Sequence, residues 1–360
     1  MNNNTYCVIM AGGIGSRFWP ISTEETPKQF LDILGTGTSF IRQTFERFKA
    51  VCPDENFLVV TSIEYKELVL EQIPELKSEQ VLTEPYRRNT APCIAYANAW
   101  IKKRNPEASI VVTPADHLVL KQEEFVQVIK KGLQFVDSND SLLTLGIKPH
   151  RPETGYGYIQ LSDESDKTLG VIESVKTFTE KPNLELAKVF FESGEFFWNS
   201  GIFLWSLKSI DTAFSENLPE VKNLFDSVQD KISTEEEVSA IDKIYNGCPN
   251  ISIDYGIMEK ANNVFVLTAD FGWSDLGTWS SLYEHSTKDS NNNAINTGKV
   301  LSYDSKNCVV NLPNNKLAVI QGLDDFIVAE SNNCLLICPK SDEQQIRKFS
   351  SDIIAEYGKS

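Results

Sequence analysis

The stretch Tyr6-Cys7-Val8-Ile9-Met10-Ala11-Gly12-Gly13-Ile14-Gly15-Ser16-Arg17 decides how the rest of the chain reads. An apolar run passes directly into a loop rich in glycine. That pattern is a buried strand ending in a loop whose backbone can lie against a ligand. Glycine has no Cβ, so its N–H groups can approach phosphate oxygens closely. Arg17 adds positive charge to this loop, and so does Lys28 in Pro27-Lys28-Gln29-Phe30-Leu31. A backbone nest with two cations suits a nucleoside triphosphate. The loop is neither the Gly-x-Gly-x-x-Gly dinucleotide fingerprint nor a P-loop, which would end in Gly-Lys-Ser/Thr. The glycines by themselves also fit a tight strand-to-helix turn.

Outward from this loop, strand-like and helical runs alternate through the first half of the chain. Residues 57–60 read as a strand, 63–73 as an amphipathic run, 89–101 as a helix and 109–113 as a strand. Residues 125–135 then read as a helix and 142–146 as a strand. This βαβ rhythm predicts an α/β fold: a mostly parallel sheet with helices on both faces. Ligands of such sheets lie beyond the carboxyl ends of the strands. The glycine loop and Pro114-Ala115-Asp116-His117 both fall at such ends. From about residue 155 the pattern is mixed, with strands expected at 157–161, 171–179 and 201–205 and helices between 209 and 244. Residues 285–298 contain Asn291-Asn292-Asn293 and read as a linker. Short β-type runs follow at 300–303, 308–311, 317–320, 326–329 and 335–338, then an amphipathic helix over 343–357. The expected division is a domain over 1–285 and a small β-rich domain over 286–360.

Hydrophobic residues make up 41% of the 360 and charged residues 23%, which allows a sizeable core without a disulfide scaffold. The seven cysteines are scattered and form no Cys-x-x-Cys pair, so they read as reduced, mostly buried thiols of a cytoplasmic protein. The N-terminus lacks a basic cluster, and the apolar run after it is too short for a signal peptide. No segment reaches the length of a membrane span. A net charge of −16 argues against nucleic acid or an anionic membrane surface as partner. Against that background Arg17, Lys28 and the pair Arg87-Arg88 stand out as cations for a phosphate or another polar ligand. For the arginine pair the alternative is an exposed turn.

Two aspartates are candidate metal ligands. Asp116 follows an apolar strand beside the phosphate loop, a natural place for a Mg²⁺ carboxylate and equally for a helix cap. Asp275 lies in Gly272-Trp273-Ser274-Asp275-Leu276-Gly277-Thr278-Trp279, an unusual setting for a surface acid. His117 reads as a residue that orders the Asp116 turn. Glu84-Pro85-Tyr86-Arg87-Arg88-Asn89-Thr90-Ala91-Pro92 suits a loop that reads a base, with Asn89 pairing to its edge. It also fits a turn capped by Asn89 or Thr90.

Over roughly residues 6–280, Ala11-Gly12-Gly13-Ile14-Gly15-Ser16-Arg17 and Pro27-Lys28 resemble the signature of the sugar-1-phosphate nucleotidylyltransferases. The Pro27-Lys28-Gln29-Phe30-Leu31 form, together with the 84–92 run, resembles the mannose-1-phosphate guanylyltransferase (GDP-mannose pyrophosphorylase) family. That resemblance implies a Rossmann-like mixed sheet and, after it, a few coils of β-helix. It implies a nucleotide site of Ala11, Gly12, Gly13, Gly15, Arg17, Lys28, Glu84, Pro85, Asn89, Thr90, Ala91 and Asp116. Arg17, Lys28 and Asp116 would be catalytic, and Asp116 and Asp275 would hold Mg²⁺. Further segments resemble the sugar-phosphate side of the site: Gly155, Tyr156 and Gly157; Glu180 and Lys181; Asn199; and Asp254, which would touch the sugar or cap a helix.

The implied reaction joins GTP and α-D-mannose 1-phosphate into GDP-mannose and pyrophosphate by in-line attack on the α-phosphate. The attacking phosphate is already ionised near neutral pH, its second pKa being about 6, so no general base is needed. Alternatives are a sibling acting on another sugar 1-phosphate, such as a manno-heptose, and a non-catalytic regulatory subunit that binds a nucleotide sugar. Longer relatives carry an isomerase domain. No histidine follows His285 and the sequence given stops short of such a domain, so isomerase activity is not expected. The β-rich C-terminal part is expected to pack on the catalytic part and to contribute to a homodimer contact.

Overall fold

The apolar run before the glycine loop is a strand with both faces covered. In β1 (Thr5–Met10), Cys7, Val8 and Ile9 are wholly out of solvent. A computed structural model of the chain describes residues 4–162 and 169–358. Contacts divide it into two units that are discontinuous in sequence. The first holds the chain up to Gly12, Thr44–Ala115 and Val119–Trp273; the second holds Gly13–Gln43, Asp116–Leu118 and the chain from Ser274.

In the first unit β1 is joined by β2 (Phe57–Ser62), β3 (Val81–Glu84), β4 (Ser109–Pro114) and later strands, while the short β5 (Leu118–Val119) lies where the chain re-enters it. The later strands are β6 (Leu142–Ile147), β7 (Tyr158–Leu161), β8 (Ile172–Thr179), β9 (Phe196–Ser206) and β10 (Val264–Ala269). They form one sheet in the order β3-β2-β1-β4-β9-β6-β10-β8-β7. β9 and β8 pair antiparallel with their neighbours, and the other seven strands share one direction. This is the mostly parallel mixed sheet that the βαβ rhythm predicts. β9 begins at Phe196, earlier than the expected 201, because Trp198 and Asn199 also pair with β6.

Helices α1 (Phe40–Phe48), α2 (Lys66–Gln72), α3 (Thr90–Arg104), α4 (Gln122–Ser138), α5 (Leu184–Ser193), α6 (Leu207–Asn217), α7 (Pro219–Asp226) and α8 (Glu237–Gly247) connect the strands. On one face Val8, Leu58, Ile110 and Val112 share a core with Ile94 and Trp100 of α3 and with Ile210, Phe225 and Ile241. On the other, Phe45 packs on Phe57 and Phe48 on Phe125, with ring centroids 4.6 and 5.3 Å apart. α3 is so deeply covered that it shows little amphipathic contrast; Ala91 to Ile101 are all buried. Among the described residues, no helix is long and apolar enough to cross a membrane.

The second unit contains β11 (Trp273–Ser274) from its second residue, α9 (Trp279–His285), and strands β12 (Ala294–Thr297), β13 (Lys299–Tyr303), β14 (Val309–Asn311), β15 (Leu317–Gln321), β16 (Phe326–Ser331) and β17 (Cys334–Pro339). Successive strands alternate between two sheets. β12, β14 and β16 stack in parallel, as do β13 and β15. Ala294 lies beside Val309, and Val309 beside Ile327, so the chain winds in coils and closes with antiparallel β17. This is the short β-helix that the resemblance implied. Side-chain alternation splits the coil's apolar residues. Val310, Val328 and Ile320 fill its interior with Cys308. Val309, Ile327 and Ala329 face outward onto Phe18, Trp19, Ile33 and Phe40. Leu336, Cys338, Trp279 and Ile346 of α10 (Ile346–Tyr357) complete that second core.

The stretch read as a linker is ordered instead. The Asp289 carboxylate accepts from the backbone N–H of Asn291 and Asn293, and Asn293 is buried and donates to the Ser305 carbonyl. β12 occupies the end of the same stretch. The three asparagines serve a turn rather than a tether. All seven cysteines are free thiols, six of them buried.

Candidate active site

The polar centre of the second unit is Lys28. It lies in a short 3₁₀ turn (Lys28–Phe30) and is 2% exposed. Gly15 makes this possible: its φ is +71°, and a Cβ there would meet the Lys28 Cβ at 2.5 Å. The Lys28 ammonium donates to the Asp116 carbonyl at 2.9 Å, to Asp116 Oδ2 at 3.0 Å and to the Asp275 carbonyl at 2.5 Å. The rings of Phe18 and Phe40 flank it. Burial works to raise the Asp116 pKa, but the Lys28 charge, followed by His117, outweighs it and holds the carboxyl below its ordinary range. Asp275 Oδ1 accepts from the Gly277 N–H at 3.0 Å, and Leu276 takes φ +43° to close that turn. Arg17 has its Nε buried with no hydrogen-bond partner. Gly13, Gly15, Arg17, Lys28, Asp116 and Asp275 therefore belong to one unit, although they come from three distant parts of the sequence.

Among the described residues, no group of three or more His, Cys, Asp and Glu side chains is arranged to hold a metal ion. Mg²⁺ does not require one. It keeps several waters and commonly takes one or two carboxylates, with phosphate oxygens completing the shell. An ionised Asp116 and the neighbouring Asp275 segment fit that mode.

In the first unit, the 84–91 segment is largely engaged with the protein. Glu84 Oε1 accepts from the Tyr245 hydroxyl at 2.9 Å, and burial pushes the Glu84 pKa up to about 7 against that bond. Asn89 has φ +68°, and its Oδ1 accepts from the Thr90 N–H, so it caps α3. Thr90 Oγ1 accepts from the Ile253 N–H, and the Ala91 N–H donates to the Ile251 carbonyl. Arg87 donates to the Tyr65 hydroxyl and Arg88 to the Tyr245 carbonyl. Asn89 thus caps α3, and of the arginine pair Arg87 is exposed and Arg88 half-buried, each making a hydrogen bond to the protein. Tyr245, a central partner here, carries no sequence signal: it is one buried position of α8, 161 residues from Glu84.

The residues expected on the sugar-phosphate side come together in the same unit. Asn199 Nδ2 donates to Asp254 Oδ1 at 2.8 Å, and Asn199 Oδ1 accepts from Thr144 and from the Gly201 N–H. Lys181 donates to Glu180 Oε1 at 2.5 Å, while Glu180 Oε2 is buried with no hydrogen-bond partner. Gly157 leaves the room for it; a Cβ there would fall onto Glu180 Oε2 and lie 3.2 Å from the Asn199 Cβ. Burial, then the Glu180 charge, pushes the Asp254 pKa up to about 7. The Asp254 carboxyl, at the start of a short helical turn (Asp254–Met258), accepts from the Asn199 amide. Tyr156 packs its ring against Trp198 and Trp273, and the Gly155 N–H is held by Glu153. Glu259, whose Oε1 accepts from the Glu180 N–H, was not singled out from sequence. An acceptor with no partner beside an amide and a carboxyl that titrates near neutrality can take hydroxyl hydrogens from a ligand.

The nucleotidyl transferase family model matches residues 6–292, and the model for a MannoseP isomerase/GMP-like beta-helix domain matches residues 298–351. A mannose-1-phosphate guanylyltransferase of Escherichia coli is 35% identical over 348 residues, 95% of this chain and 74% of that protein. The alginate biosynthesis protein AlgA of Pseudomonas aeruginosa is 34% identical over 352 residues, 97% of this chain and 72% of that protein. Among solved structures, one described as a mannose-1-phosphate geranyltransferase from Thermus thermophilus superposes with a TM-score of 0.87 at 28% identity, covering 97% of this chain and 99% of that one.

Proposed function

Since the chain belongs to the nucleotidyl transferase family, we propose that it makes GDP-mannose and pyrophosphate from GTP and α-D-mannose 1-phosphate. The observation that carries this reading is the Lys28 ammonium. It ties the Pro-Lys segment to Asp116 and to the Asp275 main chain in one hydrogen-bonded cluster. Each of those segments carries charge suited to a triphosphate or its metal. The relatives that match along most of the chain support the choice of base and sugar.

On this reading residues 1–285 carry the chemistry. The glycine loop and Arg17 receive the triphosphate, and Lys28 sets the charge and position of Asp116. Asp116 and Asp275 would hold Mg²⁺, which would supply charge neutralisation at the phosphates. The segment from Glu84 to Ala91 receives the base, fixed by Tyr245 and the 251–253 backbone. Glu180, Asn199 and Asp254 take the sugar hydroxyls, with Lys181 beside them for the phosphate. The sugar phosphate attacks without deprotonation, so the protein's work is alignment and charge stabilisation. The partners are these small molecules, and the free thiols suit the cytoplasm.

Within residues 286–360, the outer face of the coil is assigned to assembly. Leu301, Tyr303, Leu317 and Val319 lie on the paired strands β13 and β15, each more than half exposed. An apolar sheet face of this kind fits self-association. Light scattering should give a dimer, and a monomer would refute this part. The function itself is tested by pyrophosphate release, crossing GTP, ATP, UTP and dTTP with several sugar 1-phosphates. Fastest release with GTP and mannose 1-phosphate is expected. A manno-heptose preference would change the substrate, and no release with any pair would leave a regulatory binder.

A further inference from the structure

In the second unit, the last helix brings another guanidinium to the glycine loop. α10 packs against the turn Ser16–Phe18. A pocket of about 260 Å³ is lined there by Ile14, Ser16 and Trp19 of the loop and by Arg347, Ser350 and Ile354 of the helix. Among the described residues, the charged group that acts on Arg347 is Arg17, and neither arginine has a carboxylate partner. Glu24 and Glu25 also line the pocket, and the charge resolved as acting on Arg347 is that of Arg17. Burial, then the Arg17 charge, lowers the Arg347 pKa. Arg17 Nε is buried with no acceptor. In a chain of net charge −16, two guanidiniums thus lie beside the glycine loop without a carboxylate paired to either among the described residues.

We propose that Arg347 is a second polyphosphate-binding residue, which with Arg17 holds the β- and γ-phosphates of the incoming nucleoside triphosphate. The inference rests on the proposed reaction for its ligand. Two guanidiniums, each able to bind phosphate bidentately, match a polyphosphate better than a single charge. The β- and γ-phosphates are the part that departs as pyrophosphate. Arg347 therefore discriminates by position: it contacts GTP and pyrophosphate, but not GDP-mannose or the sugar phosphate.

Calorimetry on the full chain, with inorganic pyrophosphate and separately with GDP-mannose, tests this for the wild type and for Arg347→Gln. The variant should bind pyrophosphate about tenfold more weakly and show a KM for GTP raised to a similar degree. Its affinity for GDP-mannose and its KM for mannose 1-phosphate should stay within about twofold. Unchanged pyrophosphate affinity in the folded variant overturns the proposal, and so does an equal loss for both ligands. Should Arg347→Gln not fold, phenylglyoxal labelling of the wild type read by mass spectrometry decides. Pyrophosphate should shield Arg347, and labelling that it does not slow overturns the proposal. Neither readout needs turnover. Pyrophosphate binding at Arg347 in a chain that makes no GDP-mannose would therefore fail the proposed reaction and leave this inference standing.

Discussion

The Lys28 ammonium is engaged by Asp116 and by the Asp275 main chain, so its removal acts twice. Lys28→Ala should lower kcat by about 10²–10³ through lost electrostatic stabilisation. It should also lower Tm, because Asp116 is left without its counter-charge. A rise in the KM for GTP with kcat intact would make Lys28 a binding residue only. Asp254 gives a pH signature. Its carboxyl titrates at about 7 in the folded protein and near ~3.9 in an unfolded chain. The folded state holds that proton longer, so this group's contribution is full below pH ~4 and is lost as pH rises through 7. Asp254→Asn cannot ionise. Its Tm relative to the wild type should climb between pH 5 and pH 8, by the equivalent of about 1–3 kcal/mol. A difference that stays flat over that range would contradict the assignment. At this scale the sequence named Lys28, Asp116, Glu180, Asn199 and Asp254 but not what they touch. Glu84 meets Tyr245 through the fold alone. Asn89 has a local partner, Thr90, and there the helix-cap chemistry was legible from residue type.

Strands and helices were legible wherever apolar period and turn residues agreed, as in β1, β2, β4 and β6. The coil was legible as short strands but not as a winding. Nothing in residues 294–331 repeats in identity, and only the pairing of Ala294 with Val309 and Val309 with Ile327 reveals the turns. The asparagine run at 291–293 misleads because turn-forming and linker-forming residues are the same types. Glycines at the ends of elements carry a sharper message. Just before β7, Gly157 borders the space around Glu180 Oε2 and the Asn199 Cβ. Gly157→Ala should raise the KM for the sugar phosphate more than the KM for GTP, and should cost about 1–3 kcal/mol of stability. Equal effects on both substrates, in steady-state kinetics, would place this glycine outside the sugar side.

The two units could not be read from composition, because residues 13–43 look like the continuation of the strand before them. Their apolar residues are completed elsewhere: Phe18, Trp19, Ile33 and Phe40 share a core with Val309, Ile327, Leu336 and Ile346. A chain cut after residue 290 loses those partners, each worth about 1.5–3 kcal/mol of burial. It should keep the sheet's circular dichroism yet lose GTP binding and protection of the glycine loop from protease. A fully active truncated chain would refute that dependence. The same shared core sets an order of events at the ribosome. The glycine loop is among the first segments synthesised, and the residues that bury its aromatic side chains are among the later ones. At ~5–20 residues per second, the nascent chain waits on the order of tens of seconds between the two. Through that interval the sheet strands can pair while the loop stays without its core. A growing polypeptide would therefore capture no nucleotide until its coil had been made.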